Sequence, residues 1–390
     1  MQKSPMDLIN GHNLTDLCTE AQSIRDKGKG HVVSFSPKVF IPLTRLCRDF
    51  CSYCIFRQNP QQAKSLYMSP DEVLEVARQG EKTGCREALF VLGERPERRY
   101  PEARKWLKNN GYESTIHYLR EMCTLVLNET ALYPHSNPGT LTRSELESLQ
   151  ESNASMGLMV EGTSPRLYQH GGPHEHAPSK HPKARLRTLE LAGKLGIPFT
   201  TGVLVGIGET REERIRALES IRDLNERFGH IQEVIIQNFL AKPTTSMESS
   251  PEATIEEMLE TIAIARIILG PNMNVQVPPN LTSSYLVYLD AGINDWGGIS
   301  PVTKDYVNPE APWPHVTKMR QEMKDRGYEL RSRFPVYPEY FMGENGVIPQ
   351  NLEKRLRAEA NPQGYFNMNN WDESTATISQ AKNPQINFQS

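Results

Sequence analysis

Three cysteines stand close together in Cys47-Arg-Asp-Phe-Cys51-Ser-Tyr-Cys54, directly after the apolar run Val39 to Leu43. Three thiolates on one turn repel one another unless a metal centre takes up their charge, and cysteine is the soft ligand preferred by zinc, copper and iron–sulfur clusters. No fourth ligand lies in the segment. Structural zinc closes four tetrahedral ligands, usually as two separated pairs, whereas a four-iron cluster on three cysteines leaves one iron open to a small molecule. The spacing favours the open cluster; a zinc site completed from elsewhere and a chance gathering of core thiols are the competing readings. Cys18, Cys85 and Cys123 stand in unrelated contexts, and Cys123, beside Leu125 to Leu127, reads as a small buried hydrophobe.

Other polar groups fall where short apolar runs end. Gly93-Glu94 follows Ala88 to Leu92, Gln237-Asn238 follows Val234, and Asn280 follows Asn274 to Val277. At strand ends of a parallel α/β fold such groups point into the active-site mouth, and the amides of Gln237, Asn238 and Asn280 suit a substrate with a uracil-like edge of donors and acceptors. Trp296, in Asp295-Trp-Gly-Gly298, could stack on an aromatic substrate or close the mouth. The structural alternative for each is a strand-end turn. The stretch Gly202-Val-Leu204-Val-Gly206-Ile-Gly208-Glu209-Thr210 lets backbone approach a flat ligand closely, and Thr210 can cap the next helix. It lacks the G-x-G-x-x-G order of a dinucleotide loop. His170-Gly-Gly-Pro-His174-Glu-His176, with His181 nearby, reads as loop polarity before substrate or cofactor contact or zinc, because nothing in its Gly/Pro-rich surroundings fixes a ligand geometry.

The elements that must hold these groups alternate. Apolar runs at Val39 to Leu43, Ala88 to Leu92, Thr124 to Leu127, Met156 to Val160, Phe199 to Val205, Val234 to Gln237 and Asn274 to Val277 predict short buried strands. Helical patterns separate them, clearest at Val73 to Glu81, Ala184 to Leu195, Glu212 to Phe228 and Ile255 to Leu269, with start signals at Ser69-Pro-Asp-Glu72 and Thr142-Arg-Ser-Glu145. This rhythm predicts an α/β fold, a closed or nearly closed parallel βα barrel of about seven strands. We divide the chain into a helical N-terminal extension (1–37), the barrel core (38–299), a Pro-rich C-terminal extension packed on it (300–358) and a mobile Asn/Gln/Ser-rich tail (359–390).

The 390 residues can bury a sizeable core in one large domain. Lys and Arg number 44 against 47 Asp and Glu, so nothing draws the chain generally to nucleic acid. Six cysteines in this length make no disulfide scaffold, and an open iron–sulfur cluster needs a reducing compartment. Without an apolar leader or a run near the ~20 residues of a membrane span, the expected location is the cytoplasm.

The C-x3-C-x2-C spacing resembles that of the radical S-adenosylmethionine (SAM) superfamily. Further stretches sharpen the likeness: Pro42 to Arg57, Ala88 to Pro96, Pro134-His-Ser-Asn-Pro-Gly139, Gln232 to Asn238, Asp295 to Pro301 and Asn308-Pro-Glu-Ala-Pro-Trp-Pro314. From about residue 38 to 340 the chain resembles the family of subunit 1 of 7,8-didemethyl-8-hydroxy-5-deazariboflavin (FO) synthase. Phe50 and Ser136 depart from the usual family wording and leave the ligands intact.

The resemblance implies a (4Fe-4S) cluster on Cys47, Cys51 and Cys54 with SAM on its open iron. It implies Tyr53 against the adenine, Gly93 and Glu94 at the methionyl amino group, and Gly202, Leu204, Gly206 and Glu209 in the superfamily's G-x-I/L-x-G-x-x-E pattern. An external electron donor would drive release of methionine and a 5′-deoxyadenosyl radical, consuming SAM once per turnover. The implied reaction is a lyase-type ring closure on the hydroxybenzyl ribityl-diaminouracil adduct delivered by the partner subunit, beginning at the benzylic methylene and releasing ammonia. Glu161 and Asp295 are candidate bases by position, and Tyr288 a contact to the phenol. The nearest alternatives are the partner subunit itself, or tyrosine-, menaquinone- or thiamine-pathway radical enzymes. An electron-transfer iron–sulfur protein without SAM chemistry is the alternative of another class.

Overall fold

A computed structural model describes residues 6, 9, 12–343 and 347–366. Eight parallel strands close a barrel in sequential order: β1 (Val32–Thr44), β2 (Glu87–Leu92), β3 (Tyr133–Asn137), β4 (Ser155–Gly157), β5 (Phe199–Val205), β6 (Ile231–Asn238), β7 (Val275–Gln276) and β8 (Asp295–Ile299). β1 closes it by pairing with β2 through Lys38 to Thr44 and with β8 through Ser34 to Pro37. A ninth strand, β9 (Glu329–Ser332), joins β1 at its start, from Val32 to Phe35. The βα rhythm therefore resolves into a closed parallel barrel, with eight strands where about seven were expected. Four of its helices begin on reciprocal caps, at Ser69, Thr142, Thr210 and Thr254, each paired with a glutamate three residues on.

Alternation along the strands sorts side chains to two sides. Val33, Phe35, Val39, Ile41 and Leu43 are fully buried between β1 and the helices. The inward positions change character with height. Near the N-terminal ends of the strands they are polar: Ser34, Ser36, Lys38, Glu87, His135, Ser155, Thr200, Glu233 and Asp295, all buried. Arg333 closes this floor from below, bonding Asp295 at 2.8 and 3.0 Å and Glu233 at 2.8 Å, while Tyr337 donates to Glu233 at 3.0 Å. Higher up, inward Phe40, Pro42, Val91, Asn137, Ile235 and Gln237 are only half-buried, so the upper barrel keeps accessible space.

Several expectations need correction. Thr124 to Leu127 is not a strand; it forms the end of the helix Thr115–Glu129, whose buried residues Ile116, Leu119, Met122, Cys123 and Val126 recur at helical spacing. The strand is the next segment, β3, where polar inward His135 and Asn137 hide the apolar signature. The chain enters the barrel at Val32, ahead of the boundary expected at residue 38. The Pro-rich stretch after β8 lies across the barrel mouth. Trp313 stacks on Phe40 with ring centroids 5.3 Å apart, Asp305 accepts from Asn280 at 3.1 Å, and Glu310 pairs with Lys242. The helix Val316–Asp325 and β9 then complete the shell. Most of the expected mobile tail, from residue 367, lies outside the described residues. No helix among the described residues is long and apolar enough to cross a membrane.

Candidate active site

The cysteine loop leaves the C-terminal end of β1 and is tied down on both sides. Backbone N–H groups of Arg48, Phe50 and Ser52 donate to the carbonyls of Glu94, His176 and Pro173 at 2.8 to 2.9 Å. Gly93 has no room for a side chain, since a Cβ would stand 2.0 Å from the Leu46 carbonyl oxygen and 2.7 Å from Cys47 Cβ. That close approach lets the Glu94 amide donate to Cys47 Sγ at 3.2 Å, the kind of hydrogen bond that tunes cluster sulfurs. Burial pushes the Cys47 thiol up to about 12 and Cys51 higher still, and the neighbouring thiols push each in the same direction. Among the described residues, no trio of His, Cys, Asp or Glu closes to the spacing of a single metal ion. Three mutually repelling, half-buried thiols, one already accepting an amide N–H, fit a polynuclear cluster whose positive charge would favour the thiolates.

Beside the loop, Glu94 is 5% exposed. Its carboxylate accepts from the Thr140 amide at 3.0 Å and the Thr140 hydroxyl at 2.7 Å, and burial still raises its pKa. Gly139, in a left-handed conformation with φ 87°, leaves the space that this carboxylate fills. Arg48 and Arg95 lie 3.7 and 3.6 Å away.

A second cluster brings Tyr53 and Glu161 together. The Tyr53 hydroxyl donates to Glu161 at 2.6 Å and lies 2.9 Å from His174 Nε2, which is 3.2 Å from Glu161. Lys180 pairs with the same carboxylate. Burial alone would raise the Glu161 pKa, but Lys180, His174 and Arg185 hold it well below the usual carboxylate range. Glu161 has φ 64°, a strained conformation for a non-glycine residue, stabilised by its backbone bonds to Gly202 and Leu204 on β5. Leu204, Ile207, Leu167 and Phe239 form a small apolar cluster against which Tyr53 packs.

The glycine-rich stretch shapes this wall. Gly202 lets β5 and β6 approach, since a Cβ would stand 2.2 Å from the Ile235 carbonyl oxygen. Gly206 and Gly208 have φ near 100°, and Glu209 accepts from the Gly206 and Ile207 amides at 2.9 Å while pairing with Arg214 at 3.0 Å. Glu209 thus holds its own loop.

Of the amide residues, Gln237 faces the upper barrel and is half-buried. Asn238 and Asn280 each carry a buried Oδ1 with no hydrogen-bond partner among the described residues. Three expected site residues lie elsewhere. Trp296 is fully buried outside the barrel wall, donating to Met323 Sδ at 3.2 Å, because its strand position turns it toward the helices. Tyr288, 2% exposed in the turn Tyr285–Ala291, belongs to the same outer core, where burial pushes its pKa to about 12. Asp295 sits at the floor, at the start of β8 and opposite Ser34, held by Arg333. These placements leave no position at the mouth for any of the three. Lys180 and Arg185 join the site without having been singled out for it, and His174, read first as loop polarity, joins it as well; only the position of the segment after β4 pointed there.

The Radical SAM superfamily profile matches residues 41–221. Fold and site therefore define a radical SAM enzyme, whose cofactors are a (4Fe-4S) cluster and SAM. The chain is 54% identical over 335 residues, 86% of its own length and 99% of the relative's, to 7,8-didemethyl-8-hydroxy-5-deazariboflavin synthase of Methanopyrus kandleri. It is 47% identical over 369 residues to FO synthase of Mycobacterium tuberculosis H37Rv, covering 90% of this chain but 43% of that longer protein. The chain belongs to the 7,8-didemethyl-8-hydroxy-5-deazariboflavin synthase family. Among solved structures, the FeFe-hydrogenase maturase HydG of Carboxydothermus hydrogenoformans superposes with TM-score 0.68 at 19% identity over 86% of this chain and 77% of that one. Methylornithine synthase (PylB) gives 0.65 at 18% over 85% and 94%. At these identities the likeness is one of fold.

Proposed function

We propose that this chain closes the deazaflavin ring of FO from 5-amino-5-(4-hydroxybenzyl)-6-(D-ribitylimino)-5,6-dihydrouracil, releasing ammonia, methionine and 5′-deoxyadenosine. The observation that carries this reading is the 54% identity to the Methanopyrus protein over nearly its whole length, with one three-cysteine loop in the chain. The bound cofactors supply the hydrogen-abstracting chemistry. The chain's own residues hold and shield them. Cys47, Cys51 and Cys54 would carry the cluster, Glu94 would take an ammonium group of SAM, and Tyr53 with the Leu204 and Phe239 wall would meet a flat base. Glu161, held ionised by Lys180, is a hydrogen-bond acceptor for hydroxyls at the site edge. The half-buried positions of the upper barrel offer the substrate space beneath, and the stretch after β8 shields it from water.

In this reading the adduct comes from the partner subunit and the electron from an external donor. The test is anaerobic incubation of the reconstituted protein with reductant, SAM and either the adduct or free tyrosine. FO and 5′-deoxyadenosine from the adduct alone are expected. Turnover of free tyrosine, with authenticated adduct untouched, would assign the chain to the partner's reaction instead.

A further inference from the structure

β3 and the turn after it order three positions from the barrel floor toward the cysteine loop: His135, then Asn137, then Gly139 beside the Glu94 carboxylate. Ser155 Oγ donates its single proton to the Pro335 carbonyl at 2.6 Å, so it meets His135 Nδ1, also at 2.6 Å, as an acceptor. Nδ1 therefore carries a hydrogen. Burial outweighs the nearby Glu87 carboxylate and lowers the His135 pKa to about 4, so the ring is neutral near neutrality and Nε2 holds a lone pair. The atom 3.3 Å from Nε2 belongs to the side-chain amide of Asn137. A lone pair admits only an N–H there. The two ends of an amide have nearly the same shape, so it is the NH2 that faces the imidazole and the carbonyl oxygen that turns away. Among the described residues the Asn137 side chain makes no other hydrogen bond, and it is half-buried on the inward side opposite Val91. Gly157 supplies the room, since a Cβ would stand 2.1 Å from that amide and 3.0 Å from His135 Nε2.

We infer that Asn137 is a specificity-determining residue: its carbonyl oxygen accepts a ring N–H of the substrate's pyrimidine in the upper barrel, and His135, braced by Ser155, is the positioning residue that sets this orientation. The pyrimidine as substrate class rests on the ring-closing function proposed above. An amide turned the other way would select a ring carbonyl, so the imidazole tautomer decides which edge is read.

Two measurements on the whole protein test this. Histidine 15N shifts of the cluster-free protein near neutral pH, with His135 assigned by its loss in His135→Gln, should show the Nδ1–H tautomer; an Nε2–H tautomer overturns the orientation. Binding of the adduct to SAM-loaded protein should weaken about tenfold or more in Asn137→Ala, as loss of one buried hydrogen bond predicts, with SAM affinity unchanged. Ser155→Ala, at a fully buried position, should lose the single tautomer and weaken adduct binding by less. An adduct methylated on the ring nitrogen should bind wild type about as weakly as the parent binds Asn137→Ala. Equal adduct affinity in wild type and Asn137→Ala, in a protein that still makes FO, overturns the inference alone. A wild type that neither binds the adduct nor makes FO overturns the proposed function and the pyrimidine with it, while the tautomer still decides the orientation.

Discussion

Replacing Lys180 with methionine leaves the Glu161 carboxylate in place without its ammonium partner. The two side chains are 10% and 15% exposed, so the pair counts as buried. Breaking such a pair from one side costs about 3–5 kcal/mol. Here Tyr53 still donates to the carboxylate at 2.6 Å, which lowers the cost to the bottom of that range or just beneath it, about 2–3 kcal/mol. The pH dependence follows from the depressed Glu161 pKa. A carboxyl depressed by folding contributes stability above its unfolded value of about 4.3, and loses it only as pH falls through the folded value. The variant lacks much of that contribution at neutral pH. Its deficit should therefore be largest near neutrality and narrow as the medium approaches about pH 4. Protonation of His174, which burial disfavours in the wild type, would supply a replacement cation at acid pH and narrow it further. Urea unfolding of the cluster-free protein near neutrality and near about pH 3.5 measures both effects. A deficit under about 1 kcal/mol, or one equal at the two pH values, would refute the claim that Lys180 holds Glu161 ionised.

Cys51→Ala should abolish the visible absorbance of the reconstituted cluster, whereas Cys123→Ala, a buried thiol bonded to Ser136, should keep it. Gly93→Ala forces a methyl against the Leu46 carbonyl and should cost about 1–3 kcal/mol together with iron incorporated on reconstitution; full loading would contradict the packing described. Arg333→Met leaves Asp295 and Glu233 buried without their cation and should destabilise by about 3–5 kcal/mol, read by denaturant, while SAM affinity stays within about twofold. Strong loss of SAM binding in a folded Arg333→Met protein would mean that the floor and the mouth are not separate.

The cysteine loop, the Glu94 turn and the βα rhythm were legible because each is local: spacing, a glycine before a glutamate, an apolar run, a capping box. What escaped is non-local. β3 and β8 read poorly as strands because their inward positions carry His135, Asn137 and Asp295 for a polar floor that exists only once the barrel closes. Trp296 attracted a substrate role as a large aromatic beside glycines, but strand alternation, invisible without knowing β8, turns it outward. His174 looked like loop polarity among exposed histidines. Only the fold of the loop after β4 carries it, fully buried, to Tyr53 and Glu161.

The central claim is that this barrel directs hydrogen abstraction to the benzylic carbon of a pyrimidine adduct. The direct measurement is one anaerobic turnover with adduct deuterated at that methylene, followed by mass analysis of 5′-deoxyadenosine and FO. The account predicts deuterium in the deoxyadenosine, formed together with FO. Unlabelled deoxyadenosine accompanying FO would contradict the site of abstraction, and deoxyadenosine without FO would contradict the substrate.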